Sequence, residues 1–345
     1  TEKMARKTES LITEETFEEA YQQASQLSAQ DPSNVRAKFW KAVLAPGMEL
    51  RGVYSRIAPL ATRNPERARE YFEAIAQMKR THGPKFVAFF LNGPGDIKTE
   101  RDAQELVARV VARIDELRET MKSLRNSELE IDNIPNARAV RLNAADFAAL
   151  EQIVGGYQVY LSIMNSYDLS GSINVGDHSQ GRSGQEVINL LLANPSFGKL
   201  RDGRAYAVLP QLAKDAVLAT RSAIALQAEL CPAGSETPSN RPGHLFENGL
   251  CVKTSSALEA TLKTVELVAS TNLARIVVGE DNKEYVVSAP KFLASPISDV
   301  RSLVPTAYDR CGQAVAIADP TIGGLFPRGE IASDLQETSR KSCEY

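Results

Sequence analysis

The hydrophobic pattern along the chain predicts a mainly helical protein. In most long segments apolar residues recur at three- and four-residue steps, and Pro, Gly, Asn and Asp separate these segments. We expect an irregular helical bundle with one small β-hairpin and a Pro-rich C-terminal tail. The hairpin, at about residues 275–288, is predicted by two β-branched runs that flank Gly-Glu-Asp-Asn.

The longest apolar run, residues 142–168, predicts a central helix around which the rest of the chain packs. Asn143 is its expected N-cap. Gly155-Gly156 destabilises the middle of a helix by about 1 kcal/mol per glycine, so a neighbour, a ligand or a kink should use that gap. Other apolar residues fill much of the remaining circumference, which predicts burial on more than one side. The main apolar stripe comprises Phe147, Leu150, Val154, Tyr157, Leu161 and Met164.

Aromatic residues on this helix and soon after it are candidates for lining a ligand cavity. Cavities between the helices of a bundle are mostly apolar and carry a few polar groups, which tyrosine hydroxyls would supply here. Core packing without a ligand explains the same residues and remains the alternative for each of them. The candidate cavity residues are Tyr157, Tyr160, Leu161, Met164, Tyr167, Phe197 and Tyr206.

The pattern divides the chain into four segments that we expect to form one continuous domain. Residues 1–15 are predicted to be a flexible leader, and residues 16–125 to form helical hairpins. Residues 126–270 would make the central bundle around helix 143–168, and residues 271–345 the hairpin and a disulfide-stapled coil tail.

The N-terminal hairpin resembles a tetratricopeptide repeat. A helix over residues 17–34 ends at Asp-Pro, and a second helix is predicted over residues 35–44. Trp40 is out of register with the repeat, and Pro46-Gly47 is expected to break the chain before a second unit. No 34-residue period is sustained, so the resemblance implies degenerate hairpins rather than a regular solenoid. The matching positions are Phe17, Ala20, Leu27, Pro32 and Ala37.

Composition and charge exclude several classes of partner. The formal net charge of -3 provides no basic field for nucleic acid or an anionic membrane surface. No apolar run reaches the 18 or so uncharged residues of a membrane span. Hydrophobic content of 43% and charged content of 24% are ordinary for a globular protein.

No motif predicts catalysis. Each of the three histidines, His82, His178 and His244, lies beside a glycine or in a predicted loop, and none has the spacing of a helical metal site. The chain also lacks a nucleophile elbow and a phosphate-binding P-loop. We therefore expect no catalytic residue, no metal, no cofactor and no enzymatic activity.

The four cysteines, Cys231, Cys251, Cys311 and Cys343, all lie in the last third of the chain and have no C-x-x-C spacing. A bridge between Cys231 and Cys251 would staple a Pro/Gly-rich loop and remove about 3 kcal/mol of unfolded-state entropy. Cys311 would then pair with Cys343. Disulfides would indicate an oxidising compartment such as a bacterial periplasm. Four unrelated buried thiols are the alternative.

The overall layout resembles a family of bacterial envelope lipoproteins associated with lipid and sterol transport. The matching residues are Asp31-Pro32-Ser33-Asn34, Tyr167-Asp168-Leu169, Asn194-Pro195-Ser196-Phe197 and Asp319-Pro320. The resemblance implies a periplasmic protein, attached to the outer membrane, that works beside envelope transporter components. The family's lipidated cysteine would then precede Thr1.

Two functions follow from these observations. The first is a non-enzymatic periplasmic protein that binds or transfers a hydrophobic small molecule, such as a lipid or a sterol, in a cavity between helices. The alternative is a scaffold of an envelope complex, in which the N-terminal hairpins hold a partner protein on a concave face.

Overall fold

The computed structural model is mainly helical, which confirms the predicted fold class. Among the residues it describes, the strands form three two-stranded antiparallel pairs. The described residues are 2–61, 70, 87–91, 93, 95–135, 137, 139–171, 186, 189, 192–230, 259, 262–263, 266, 273–278, 283–308, 314–330 and 334.

The chain divides into two compact units. The first comprises Thr1–Leu161 and Leu218–Leu262, and the second comprises Ser162–Val217 and Lys263–Tyr345. The chain passes between the units three times, after Leu161, Val217 and Leu262. The first two of these points lie inside long helices, and none coincides with the segment boundaries that the sequence pattern placed after residues 15, 125 and 270.

The described helices and strands are numbered here in chain order. Up to the central helix they are α1 (Glu2–Ser10), α2 (Phe17–Gln30), α3 (Val35–Glu49), α4 (Val53–Ala61), α5 (Val87–Leu91), α6 (Glu100–Ser123), β1 (Leu129–Ile131), β2 (Val140–Leu142) and α7 (Ala144–Asn165). They continue with α8 (Arg204–Leu230), β3 (Ala274–Val278), β4 (Lys283–Val287), α9 (Ala289–Ala294), a 3-10 turn (Val300–Leu303), β5 (Pro305–Tyr308) and β6 (Ala314–Ile317).

The N-terminal segment is helical, so the prediction of a flexible leader over residues 1–15 was wrong. Helix α1 packs against α2 and α3. Ala5, Thr8 and Glu9 of α1 are buried, and Ala5 forms a small apolar cluster with Leu27 and Ala37. The segment is mostly polar, so its sequence alone does not indicate that these residues are buried.

Glu9 ties α1 to the rest of the first unit. Its side chain is 0% exposed and accepts hydrogen bonds from Arg36 and from the Trp40 indole, the latter at 3.0 Å. The backbone amides of Asp132 and Asn133 donate to its other oxygen at 3.2 and 3.1 Å. A buried carboxylate is tolerated when it is paired and hydrogen-bonded in this way.

The α2–α3 hairpin has the predicted helix–turn–helix form. The Asn34 side chain caps α3 by accepting a hydrogen bond from the Ala37 amide at 2.8 Å. The expected break at Pro46-Gly47 was wrong, because α3 continues through Pro46 to Glu49. Gly47 lies under the Phe17 ring, where an added Cβ would be 2.7 Å from Phe17 Cζ. This close approach explains the need for glycine at position 47.

Two further segments have regular structure. The apolar run at residues 85–91 is helical over Val87–Leu91. The connection between α6 and α7 contains the antiparallel pair β1–β2, in which Glu130 lies opposite Arg141.

The second unit contains the predicted hairpin. Strands β3 and β4 pair in antiparallel register from Ala274 opposite Val287 to Val278 opposite Lys283, which confirms the hairpin at about residues 275–288. The tail that follows is more regular than the predicted coil, because it holds α9, the 3-10 turn and the β5–β6 pair.

Within the described part of the chain, no helix is both long and apolar enough to cross a membrane. The predicted disulfide residues Cys231, Cys251, Cys311 and Cys343 lie outside the described residues, so their pairing stays a prediction.

The Glu9 contact makes a direct prediction about stability. Glu9→Ala leaves the buried Arg36 without its main counter-charge, and we expect the free energy of unfolding of the first unit to fall by about 3 kcal/mol. Trp40, the only tryptophan of the chain, is buried in this unit and reports the transition by its fluorescence in a urea titration.

Glu18→Ala is the matched control, because Glu18 pairs with Arg51 on the exposed surface. Its loss should lower the free energy of unfolding by less than about 1 kcal/mol. Equal losses for the two variants would contradict the assigned role of Glu9.

Candidate interaction face on the central helix

Helix α7 begins at a reciprocal cap. The Asn143 side chain accepts a hydrogen bond from the Asp146 amide at 3.1 Å, and the Asp146 carboxylate accepts one from the Asn143 amide at 2.8 Å. Two otherwise free amides are satisfied by this arrangement, as the sequence predicted for Asn143. The cap fixes where the helix starts.

The buried face of α7 is apolar in its first turns, at Phe147, Ala148 and Ala149, and becomes polar from Glu151 onward. Gln158 and Glu151 are only 5% and 2% exposed. The Gln158 side chain accepts from Arg118 Nε at 3.0 Å and donates to Asp115 Oδ1 at 2.8 Å. Arg125 Nε donates to Glu151 Oε2 at 2.6 Å. A layer of charged and amide side chains therefore joins α6, with the residues just after it, to α7.

The two contacts of this polar layer share one register. Arg118 and Arg125 are seven residues apart in the sequence, and so are Glu151 and Gln158. Arg118 bonds the later of the two α7 residues and Arg125 bonds the earlier one, which is the order of antiparallel helices. Seven residues correspond to about two helical turns, so Glu151 and Gln158 lie on one face of α7. Arg118 lies in α6, and Arg125 lies in the turn just after it.

Gly155 faces this layer. The glycine is buried between Glu151 and Gln158, and the position that a Cβ would take lies 3.7 Å from Arg118 Cδ, an ordinary van der Waals distance. A Cβ would fit at this position, so no described neighbour needs the gap predicted at Gly155-Gly156. Gly156 is exposed, and no atom lies within 4 Å of its Cβ position.

The opposite face of α7 exposes apolar side chains. Tyr157 and Tyr160 are 63% and 61% exposed, and Ile153 and Met164 are exposed as well. These positions follow helical spacing and form one stripe. No charged residue occurs from Gln152 to Ser166. We call Ile153, Gly156, Tyr157 and Tyr160, all in the first unit, the apolar face.

This arrangement corrects the expectation that α7 is buried on more than one side. Its most buried positions in the first unit after the first turn include Glu151 and Gln158, whereas Tyr157, Tyr160 and Met164 are exposed. An enclosed cavity would bury these three side chains, and the structure does not. Leu161 is half-buried and packs against a cluster of Ile97, Leu106 and Val110.

Two other predicted cavity residues meet in the second unit. The hydroxyls of Tyr167 and Tyr206 are hydrogen-bonded at 2.8 Å, and both side chains are buried. Their rings pack edge to face at 6.1 Å, and Phe292 of α9 lies 6.4 Å from Tyr206. Burial raises the pKa of both tyrosines. These contacts describe a packed aromatic cluster with a polar centre.

Phe197, the remaining predicted cavity residue, is half-buried in a turn. The turn folds back on the end of α7, since the Gly198 amide donates to the Asp168 carbonyl at 2.7 Å and the Asp168 amide donates to the Lys199 carbonyl at 2.8 Å. Tyr167 and Tyr206 thus contact each other, and the prediction that they and Phe197 line a ligand cavity stays a prediction.

The residues that position α7 were missed by the sequence analysis. Arg118 is a charged residue on a helix, a type that is usually exposed, yet it is buried. The signal that could have revealed the layer is the equal seven-residue spacing of Arg118 with Arg125 and of Glu151 with Gln158. A single-helix pattern does not show that two such spacings belong together.

The described residues hold no group of three or more His, Cys, Asp or Glu side chains that could bind a metal ion. The three histidines lie outside those residues. Comparison of the chain with protein-family models, with curated proteins and with solved structures found no match. The resemblance to envelope lipoproteins therefore stays a prediction.

The tyrosine pair gives a second testable expectation. Tyr206→Phe removes the hydroxyl that bonds Tyr167 inside a buried cluster, and we expect the free energy of unfolding to fall by about 1 kcal/mol, measured by urea titration with circular dichroism. Tyr157→Phe, the same change on an exposed residue, should shift it by less than about 0.5 kcal/mol. A Tyr206→Phe variant as stable as Tyr157→Phe would show that the hydrogen bond contributes nothing.

Proposed function

We propose that the protein is a non-enzymatic scaffold that holds a partner protein against the apolar face of α7. The supporting observation is the exposure of Ile153, Tyr157 and Tyr160 on a helix whose other face is buried. A large apolar side chain contributes about 1.5–3 kcal/mol when it moves from water into a packed environment. These side chains are not buried in the fold, so a partner that covers them would gain this stabilisation on binding.

The composition of the face favours a protein over a membrane surface. Interface cores are enriched in Tyr and Met and depleted of Lys, Glu and Asp, as is the stretch from Gln152 to Ser166. Helices that lie on membranes usually carry Lys or Arg beside their apolar face, and this stretch has neither. The partner should accordingly present an uncharged apolar surface.

The packing of the N-terminal helices also favours α7, rather than the N-terminal hairpins, as the place where the partner binds. In the first unit α3 packs against α6, and α1 packs against both α2 and α3. These helices therefore use part of the hairpin surface for intramolecular packing. Among the described residues of that unit, the apolar face of α7 is the largest group of exposed apolar side chains.

Binding of a hydrophobic small molecule remains the second candidate function. It is favoured by the uncharged character of the same face, but a drug-sized or lipid ligand is normally enclosed over most of its surface. The periplasmic location expected from the cysteines stays a prediction.

Photocrosslinking tests the proposal. A benzophenone amino acid replaces Tyr157 in the full chain, expressed in the native cells, and adducts are identified by mass spectrometry. We expect a discrete protein adduct, which the additional change Tyr160→Glu should abolish. With the identified partner purified, Tyr160→Glu should weaken the measured Kd by about 30-fold, the effect of an interface tyrosine worth about 2 kcal/mol.

Leu218 provides the matched control, because it is an exposed apolar residue on α8 in the same unit. Benzophenone at position 218 should not capture the partner, and Leu218→Glu should leave the adduct from position 157 intact. Equal capture from both positions, or adducts from position 157 with lipid alone, would contradict the scaffold. The lipid result would favour the second candidate.

A further inference from the structure

Glu151 is the least satisfied ionisable group of the polar layer. Its side chain is 2% exposed, and Arg125 bonds one of its oxygens, Oε2. The other oxygen, Oε1, is buried and accepts no hydrogen bond from any residue that the structure describes. Glu9, by contrast, has donors on both oxygens. The two buried carboxylates of the first unit thus differ in how many of their oxygens accept hydrogen bonds.

The charged groups that face Glu151 come from α6 and the turn after it. Arg125 is the nearest, and Lys122 and Arg118 act over longer distances. Arg118 is itself engaged by Gln158, Asp115 and Glu119. On the other side, α8 meets the preceding turn of α7 through Ala223, which packs against Ala148 and Ala149. Arg125 is therefore the main compensation for a charge on Glu151.

One hydrogen-bonded oxygen does not replace the hydration that an ionised carboxylate has in water. Burying a charge is unfavourable unless its oxygens are fully paired, and a buried acceptor without a donor adds to this penalty. The neutral acid avoids most of the penalty. We propose that Glu151 makes the α6–α7 contact pH-responsive, so that the contact tightens when Glu151 is protonated and loosens when Glu151 is ionised.

The direction of the titration agrees with this geometry. Burial raises the pKa of Glu151 above its ordinary value of 4.5, and the Arg125 hydrogen bond opposes the shift only in part. A carboxyl whose pKa is higher in the folded than in the unfolded state stabilises the fold fully below the unfolded value. That stabilisation is lost as the pH rises through the folded pKa. The proposal does not depend on which partner α7 binds.

Hydrogen exchange of the full chain measures the effect locally. Peptides from residues 144–161 are compared between wild type and Glu151→Gln at about pH 5 and about pH 8. Glutamine mimics the neutral acid, so at the higher pH the variant should exchange more slowly than wild type. The difference should shrink at the lower pH, where wild-type Glu151 is itself more protonated.

Glu119→Gln is the control, since Glu119 bonds Arg118 of the same layer from an exposed position. Its difference from wild type in the same peptides should not change between the two pH values. Three results would overturn the proposal. Faster exchange of Glu151→Gln at the higher pH, or failure of the variant to fold, would show that the contact requires the ionised Glu151–Arg125 pair. A difference that is the same at both pH values would show that titration of Glu151 does not control the contact.

Discussion

The rotation of α7 about its own axis is fixed by the polar layer it shares with α6. Two antiparallel contacts, Arg118 with Gln158 and Arg125 with Glu151, set both the register and the buried face. Turning the helix to bury its tyrosines would break both contacts at once. A hydrogen bond to a charged group contributes about 1.5–3 kcal/mol, and the buried partner left behind adds its own desolvation penalty.

This constraint leaves apolar side chains of α7 exposed to water. Ile153 and two tyrosines remain in water, although each would contribute about 1.5–3 kcal/mol if it were buried. The opposing terms are of similar size, so the helix gains little by turning in isolation. An added partner changes the balance, because it can cover the apolar face while the polar layer stays intact. This is the physical reason for proposing an interaction role for α7.

The sequence pattern was reliable where a segment's own residues decide its structure. It predicted the α2–α3 hairpin, the Asn143 cap and the β3–β4 hairpin, all of which depend on local spacing. It failed for α1 and for the orientation of α7, where burial depends on residues distant in the chain. Glu9 finds its donors at Arg36 and Asp132, and Glu151 finds its partner at Arg125. Helical periodicity groups residues by face but does not state which face is inside.

Hydroxyl-radical footprinting tests the orientation of α7 most directly, because the chain carries chemically identical probes in opposite environments. Tyr157 and Tyr160 are exposed, whereas Tyr167 and Tyr206 are buried. The structure predicts that the first pair is oxidised several-fold faster than the second in the native protein, and that the difference disappears in denaturant. Protection of Tyr157 and Tyr160 equal to that of Tyr206 in the isolated chain would contradict an inward polar face and an outward apolar one.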